Sequence, residues 1–122
     1  NRLKANWPLQ SDPTAVYGIP GFKGPILRKH LENDSPYNTY IQRGLPIGPI
    51  CNPGQSAIMA TLYPQDTNYM YFVSDANGAH IFSVTQKEHS RAVEFYRRQK
   101  AYTLKELEDI AKGASSEEEE AK

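Results

Sequence analysis

Cysteine occurs once in this chain, at Cys51, which rules out an internal disulfide and a multi-cysteine zinc site. Flanked by Ile50 and Asn52, that lone thiol reads as a small buried hydrophobe. No apolar run approaches the ~20 residues that cross a bilayer, and no signal-peptide pattern is present. Charge of either sign is not in excess: 14 Lys plus Arg balance 14 Asp plus Glu. That removes the electrostatic case for a nucleic acid or an anionic membrane surface as partner. The acids are unevenly spread, because Glu117 to Glu120 form one run and the remainder is mildly basic. Also missing are a Walker loop, a G-x-G-x-x-G turn, an H-E-x-x-H pair and the paired carboxylates of a two-acid glycosidase. An initiator Met is lacking too, and the opening Asn1-Arg2-Leu3 is read as the start of a piece of a longer protein.

What is present suits one modest domain. Residues 1 to 6 read as the end of a helix that Pro8 stops. Thr14, Val16 and Tyr17 form a β-prone stretch closed by Gly18 and Pro20. Ile26, Leu27, His30 and Leu31 recur at helical spacing. The segment SPYNTYIQRGLPIGPICNPG, residues 35 to 54, is then dense in proline and glycine, and so long a connection is uncommon in a compact domain unless it has a function. It runs into a helix signal with Asn52 as N-cap, Pro53 at the first position and Gln55 at the third. Ala57, Ile58, Thr61 and Leu62 give that helix an apolar side.

The sharpest pattern is a hairpin over 69 to 84, with strands YMYFVS and AHIFSV around Asp75-Ala76-Asn77-Gly78. Asn77-Gly78 is a strong signal for a type I′ turn. Alternation puts Met70, Phe72 and Ser74 on one face and Tyr69, Tyr71 and Val73 on the other. Bulk on both faces calls for helices over at least one of them. Thr85 and Glu88 make a capping box for a helix through Ala92, Val93, Phe95 and Tyr96, with Arg91, Arg97, Arg98 and Lys100 on its solvated side. Thr103 and Glu106 suggest a second box and a terminal helix over 101–113, ended by Gly113. Residues 114–122 read as a disordered acidic tail. Helices with a small antiparallel sheet make the fold class α+β.

Chemistry-bearing residues are few. His30, His80 and His89 lie at unequal gaps and give no metal-ligand spacing. His30 and His89 read as helix-surface residues. His80 follows the hairpin turn, where a side chain can line a cleft mouth. Asp12, within Gln10-Ser11-Asp12-Pro13, can serve as a turn or cap residue or can accept a hydroxyl. Tyr37 and Tyr40, with Asn38 and Thr39 between them, offer flat faces and hydrogen-bonding tips. Sugars need both, although tyrosines in a core serve packing in the same way.

The stretches LQSDPTAVYG, SPYNTY, GLPIGPICNPG, TNYMYFVSDANGAHIF and TQKEHSRAV resemble, in order and spacing, the YceG-like family of endolytic murein transglycosylases. The resemblance runs from Asn1 to about Tyr96, so that 1–100 corresponds to the carboxy-terminal part of the family's catalytic domain. It implies a parent protein anchored in the inner membrane, its catalytic domain on the cell-wall side. Such an enzyme cuts nascent peptidoglycan glycan strands and leaves 1,6-anhydro-N-acetylmuramic acid ends. It works alongside the peptidoglycan synthases and uses no cofactor or metal. Its single catalytic acid, a glutamate in a motif like ASIVEKE, falls upstream of the position matching Asn1. Neither Glu32 nor Glu88 matches it. The resemblance further implies that Gln10, Ser11 and Asp12 face that glutamate, with Tyr37, Asn38, Thr39 and Tyr40 lining sugar subsites. Where the family usually has GLPPGPI, Ile47 replaces the second proline. The family has also carried the label aminodeoxychorismate lyase, but no residue here marks a lysine for pyridoxal phosphate. The competing reading is a non-catalytic glycan-binding or protein-interaction module on the same fold.

Overall fold

The computed structural model describes the backbone of residues 1–120 and the side chains through Asp109. The chain forms two compact units, Asn1–Thr67 and Asn68–Lys122. The fold is α+β, with three α-helices, a 3₁₀ turn and a two-stranded antiparallel sheet among the described residues.

The first unit opens on one helical turn closed by a Schellman motif. The Ala5 N–H donates to the Asn1 carbonyl, Asn6 N–H to Leu3 and Trp7 N–H to Arg2. Asn6 takes the left-handed conformation (φ 56°) that this motif needs and that asparagine tolerates. Arg2 then fixes the exit, its Nη1 donating to the carbonyls of Pro8 and Leu9 at 3.1 Å each.

The β-prone stretch around Thr14 is not a strand. It is helix α1, Asp12–Val16. Ser11 sits at the N-cap with extended dihedrals and proline falls in the first turn, where its missing N–H costs nothing. The Thr14 hydroxyl bonds back to the Ser11 carbonyl at 2.6 Å. These start signals outweigh the β propensity of Thr14, Val16 and Tyr17. The helix expected near Ile26 is a shorter 3₁₀ turn, Arg28–Glu32. His30 closes it, its N–H donating to the Leu27 carbonyl (2.9 Å) while its Nδ1 accepts the Leu27 N–H (2.8 Å).

Residues 41–54 carry no regular element. Helix α2, Gln55–Leu62, starts two residues later than its signal suggests, with Gly54 rather than Asn52 at the N-cap. All eight of its residues are exposed, as is Cys51. The thiol is therefore not a core residue, because nothing in its unit covers this loop.

In the second unit β1, Tyr71–Ser74, pairs with β2, His80–Ser83, in the register Phe72 opposite Phe82 and Val73 opposite Ile81. The connection is a five-residue loop rather than a two-residue type I′ turn. Asp75 gathers the turn: its Oδ1 accepts the N–H groups of Asn77 and Ala79 at 2.9 Å each. Positive φ accordingly falls at Ala76 and Gly78, not at Asn77.

Helix α3, Gln86–Glu120, packs on one face of the hairpin, where Tyr71, Val73 and Ile81 are half-buried and Ser83 is buried. The other face leaves Phe72 and Phe82 exposed, and Phe95 is exposed on α3 itself. The second capping box is not made. Thr103 Oγ1 donates instead to the Gln99 carbonyl one turn back (3.1 Å), so a single helix continues through Gly113 to Glu120. Residues 121–122, the end of the expected tail, lie outside the described residues.

The first box is made in full. Glu88 Oε2 accepts the Val84 and Thr85 N–H groups at 3.0 and 3.1 Å, and the Glu88 N–H donates to Thr85 Oγ1 at 3.3 Å. The Thr85 bond first, then the Val84 bond, holds the Glu88 carboxyl below its ordinary value. A depressed folded-state pKa stabilises the helix start above the unfolded value and loses that stabilisation as pH falls through the folded one. The amide protons of Val84 and Thr85 are expected to titrate together below the ordinary glutamate pKa. In Glu88→Ala that shared titration should vanish, as an NMR pH series would record.

Candidate functional site

The residues singled out in the first unit come together around a buried polar knot. Thr39 lies wholly out of contact with solvent and Thr14 nearly so. Their hydroxyls meet at 2.8 Å. The direction of every bond in the knot follows from one acceptor. The Ser11 carbonyl can only accept, so the Thr14 hydroxyl spends its proton there. Thr14 Oγ1 must then accept both the Thr39 N–H, at 3.1 Å, and the Thr39 hydroxyl proton. Thr39 Oγ1, its own proton committed, accepts the Ser11 N–H at 3.0 Å. A last bond, Gln10 N–H to the Thr39 carbonyl at 3.2 Å, ties the segment entering α1 to the Tyr-Asn-Thr-Tyr run.

Asn38 fixes that run from the other side. It is fully buried. Its Nδ2 donates to the carbonyls of Leu31 (3.0 Å) and Asn33 (2.8 Å), and its Oδ1 accepts the Tyr40 N–H (3.0 Å). Asn33 in turn reaches the Ala15 carbonyl at 3.2 Å. Buried Ser35 accepts the Tyr37 N–H on its Oγ, 3.2 Å away. Gly18 passes so close that a Cβ there would lie 2.7 Å from Ser35 Oγ, which explains glycine after α1.

Asn38 and Thr39 are therefore not side chains a sugar can touch. The expectation that they line subsites gives way to a scaffold role, because their polar atoms are spent inside the unit. Gln10, Ser11 and Asp12 are exposed, and Tyr37 and Tyr40 are half-exposed. These five remain as the outward rim of the knot. Gln10 holds a left-handed backbone (φ 50°), which is uncommon for a residue with a Cβ and places strain at the rim. The Tyr37 ring meets Tyr17 edge-on at 4.6 Å, and Gly48, from the proline-rich loop, passes over its hydroxyl side. The Tyr40 hydroxyl donates to Asp12 Oδ1. Burial first, then that hydrogen bond and the Asp12 charge, push the Tyr40 phenol well above its usual range, so it stays protonated.

His80 belongs to the second unit. It is exposed at the start of β2, opposite Ser74, with ring contacts to Phe72 (5.4 Å) and Phe82 (6.2 Å). His89 is half-buried and stacked on Tyr71 at 5.2 Å, and His30 caps its own turn, so neither is a free surface group. Among the described residues no three His, Cys, Asp or Glu side chains cluster as metal ligands. Likewise, no helix among them is long and apolar enough to cross a membrane.

Sequence reasoning missed Thr14, Ser35 and Tyr17. Ser11-Asp12-Pro13-Thr14 did carry a signal, since a capping residue followed by an early proline marks a helix start. Ser35 makes a local turn to the Tyr37 N–H, a bond typical of serine, but its contact with Gly18 and the pairing of Tyr17 with Tyr37 lie across loops and left no mark in the sequence.

The family model described as the YceG-like family matches residues 1–95. An endolytic murein transglycosylase of Bacillus subtilis (strain 168) is 50% identical over 96 residues, which cover 79% of this chain and 27% of that protein. The Streptococcus pneumoniae D39 protein of the same name is 32% identical over 99 residues, covering 76% of this chain and 18% of the relative. A crystal structure of a yceG-like protein from Listeria monocytogenes superposes with a TM-score of 0.66 at 44% identity, covering 74% of this chain and 29% of that one. The chain thus spans well under a third of the length of each of these relatives.

Asn38→Leu keeps the branched heavy-atom outline, adds bulk, and leaves two carbonyls and one N–H without their partner. It is expected to cost the chain about 3 kcal/mol of stability, read as a drop in the urea midpoint.

Proposed function

The chain belongs to the YceG-like family, and on that premise we propose that it is the glycan-binding wall of an endolytic peptidoglycan lytic transglycosylase. The observation that carries the proposal is the knot. Two segments 25 residues apart, centred on Thr14 and Thr39, are locked by buried hydroxyls. Next to these hydroxyls in sequence, Gln10, Ser11, Asp12, Tyr37 and Tyr40 reach solvent, with the Tyr40 hydroxyl already given to Asp12. A wall that must hold a sugar in register needs this rigidity, since small misplacements of a bound substrate are costly to the rate.

The chemistry of such an enzyme uses one carboxylic acid. It gives its proton to the glycosidic oxygen as the C1–O bond breaks. The resulting carboxylate takes the proton of the muramic C6 hydroxyl as that oxygen closes onto C1, so no water is consumed. In this reading the acid is a glutamate on sequence preceding the position of Asn1, and the present residues bind and orient the strand. The whole protein is a membrane-anchored enzyme acting on the cell-wall side, alongside the peptidoglycan synthases.

Titration of the chain with chitooligosaccharides, followed by amide shifts, is expected to give saturable changes clustered at Gln10 to Thr14 and Tyr37 to Tyr40. Shifts elsewhere, or none, would overturn the reading. The chain by itself is expected to release no anhydromuropeptides from purified sacculi, and their appearance by mass spectrometry would place a working acid within these residues.

A further inference from the structure

The two tyrosines of the rim look alike in sequence and differ in surroundings. Tyr37 makes a ring contact with Tyr17, whereas the Tyr40 hydroxyl is spent on Asp12 across 28 positions of sequence. Both ends of the Tyr40–Asp12 bond are anchored to the knot. The Tyr40 N–H is held by Asn38 Oδ1, and the Ser11 N–H, beside Asp12, by Thr39 Oγ1. A phenol fixed this firmly, and kept protonated, acts as a permanent donor to one carboxylate oxygen.

Asp12 is exposed, and an ionised carboxylate has about four lone-pair sites, of which Tyr40 fills one. The free sites accept only, so their complement is a donor: a sugar hydroxyl or the N–H of an N-acetyl group. An exposed aspartate without a tether samples several rotamers and loses that freedom on binding, which weakens the complex. The hydrogen bond from Tyr40 removes part of that cost in advance.

We infer that Tyr40 is a positioning residue, which locks the Asp12 carboxylate so that its free lone pairs accept a hydroxyl or amide proton of the glycan. Tyr40 does not serve as a platform under a sugar ring. This rests on the glycan-binding reading above and assigns the work of its rim: Asp12 touches the sugar, and Tyr40 acts through Asp12.

The test is a double-mutant cycle on chitohexaose affinity in the whole chain, with Tyr40→Phe, Asp12→Ala and the two combined. Tyr40→Phe keeps the ring and removes only the hydroxyl. It is expected to weaken binding about fivefold, the size of one hydrogen bond, and Asp12→Ala by at least as much. In the Asp12→Ala background, Tyr40→Phe should make no further difference. A merely structural hydroxyl would lower affinity in both backgrounds, and that result overturns the inference. So does a Tyr40→Phe chain that binds as tightly as the unaltered one, which is the outcome for a stacking platform. An amide spectrum of each variant checks that the knot is intact. If the unaltered chain shows no saturable binding, the glycan reading itself falls, and this inference with it.

Discussion

The hydroxyl pair of Thr14 and Thr39 is the contact on which the first unit depends. Three polar groups converge on Thr14 Oγ1 and two on Thr39 Oγ1, and the Ser11 carbonyl settles which way every proton points. A network with one consistent assignment has no alternative arrangement to slip into. In a buried, low-dielectric setting such a set of bonds polarises its members and specifies a unique geometry, where an apolar cluster would tolerate sliding. The cost is that no member can be removed without stranding another.

The burial pattern gives this weight. The fully buried side chains of large volume are Asn38 and Thr39, and the buried apolar core of the described residues is Ala15. Large apolar residues such as Leu45, Ile47 and Leu62 stay on the surface of this chain. Apolar burial normally drives folding and is indifferent to direction. Here it does little to hold the 10–14 and 35–40 segments together, and directional bonds do that instead. The same economy serves the rim. Because Asn38 and Thr39 are consumed as scaffold, their neighbours Tyr37 and Tyr40 are presented at defined positions, and Asp12 is carried at the first turn of α1. The second unit is built differently. An antiparallel hairpin is tied at its tip by Asp75 and laid against α3, whose start is set by the reciprocal bonds of Thr85 and Glu88.

Much of this could be read in the residues. The α+β class, the hairpin strands, the Thr85–Glu88 capping box and the helical turn ending near Asn6 all follow from interactions within a few positions of one another, and short-range chemistry is legible in order along the chain. Motif resemblance located the family for the same reason, since order and spacing are properties of a string. Reading failed where two local signals competed. At Thr14 the β propensity of individual residues lost to the early proline and to the Thr14 hydroxyl bonding back to the Ser11 carbonyl. At Thr103 a plausible box lost to a hydroxyl bonding one turn back inside a helix already running.

The sequence by itself determined which residues could be polar, aromatic or helical and in what order they come. Only the tertiary structure decided which of Tyr37, Asn38, Thr39 and Tyr40 face outward. Four neighbouring residues with similar hydrogen-bonding ability carry no mark of their direction. That was settled by partners elsewhere in the chain: Thr14 and Ser11 for Thr39, the carbonyls of Leu31 and Asn33 for Asn38, and Asp12 for Tyr40. A hydrogen bond between residues 25 positions apart exists only once the chain has closed the loop between them. The division of this run into scaffold and rim is therefore a property of the fold and not of the string.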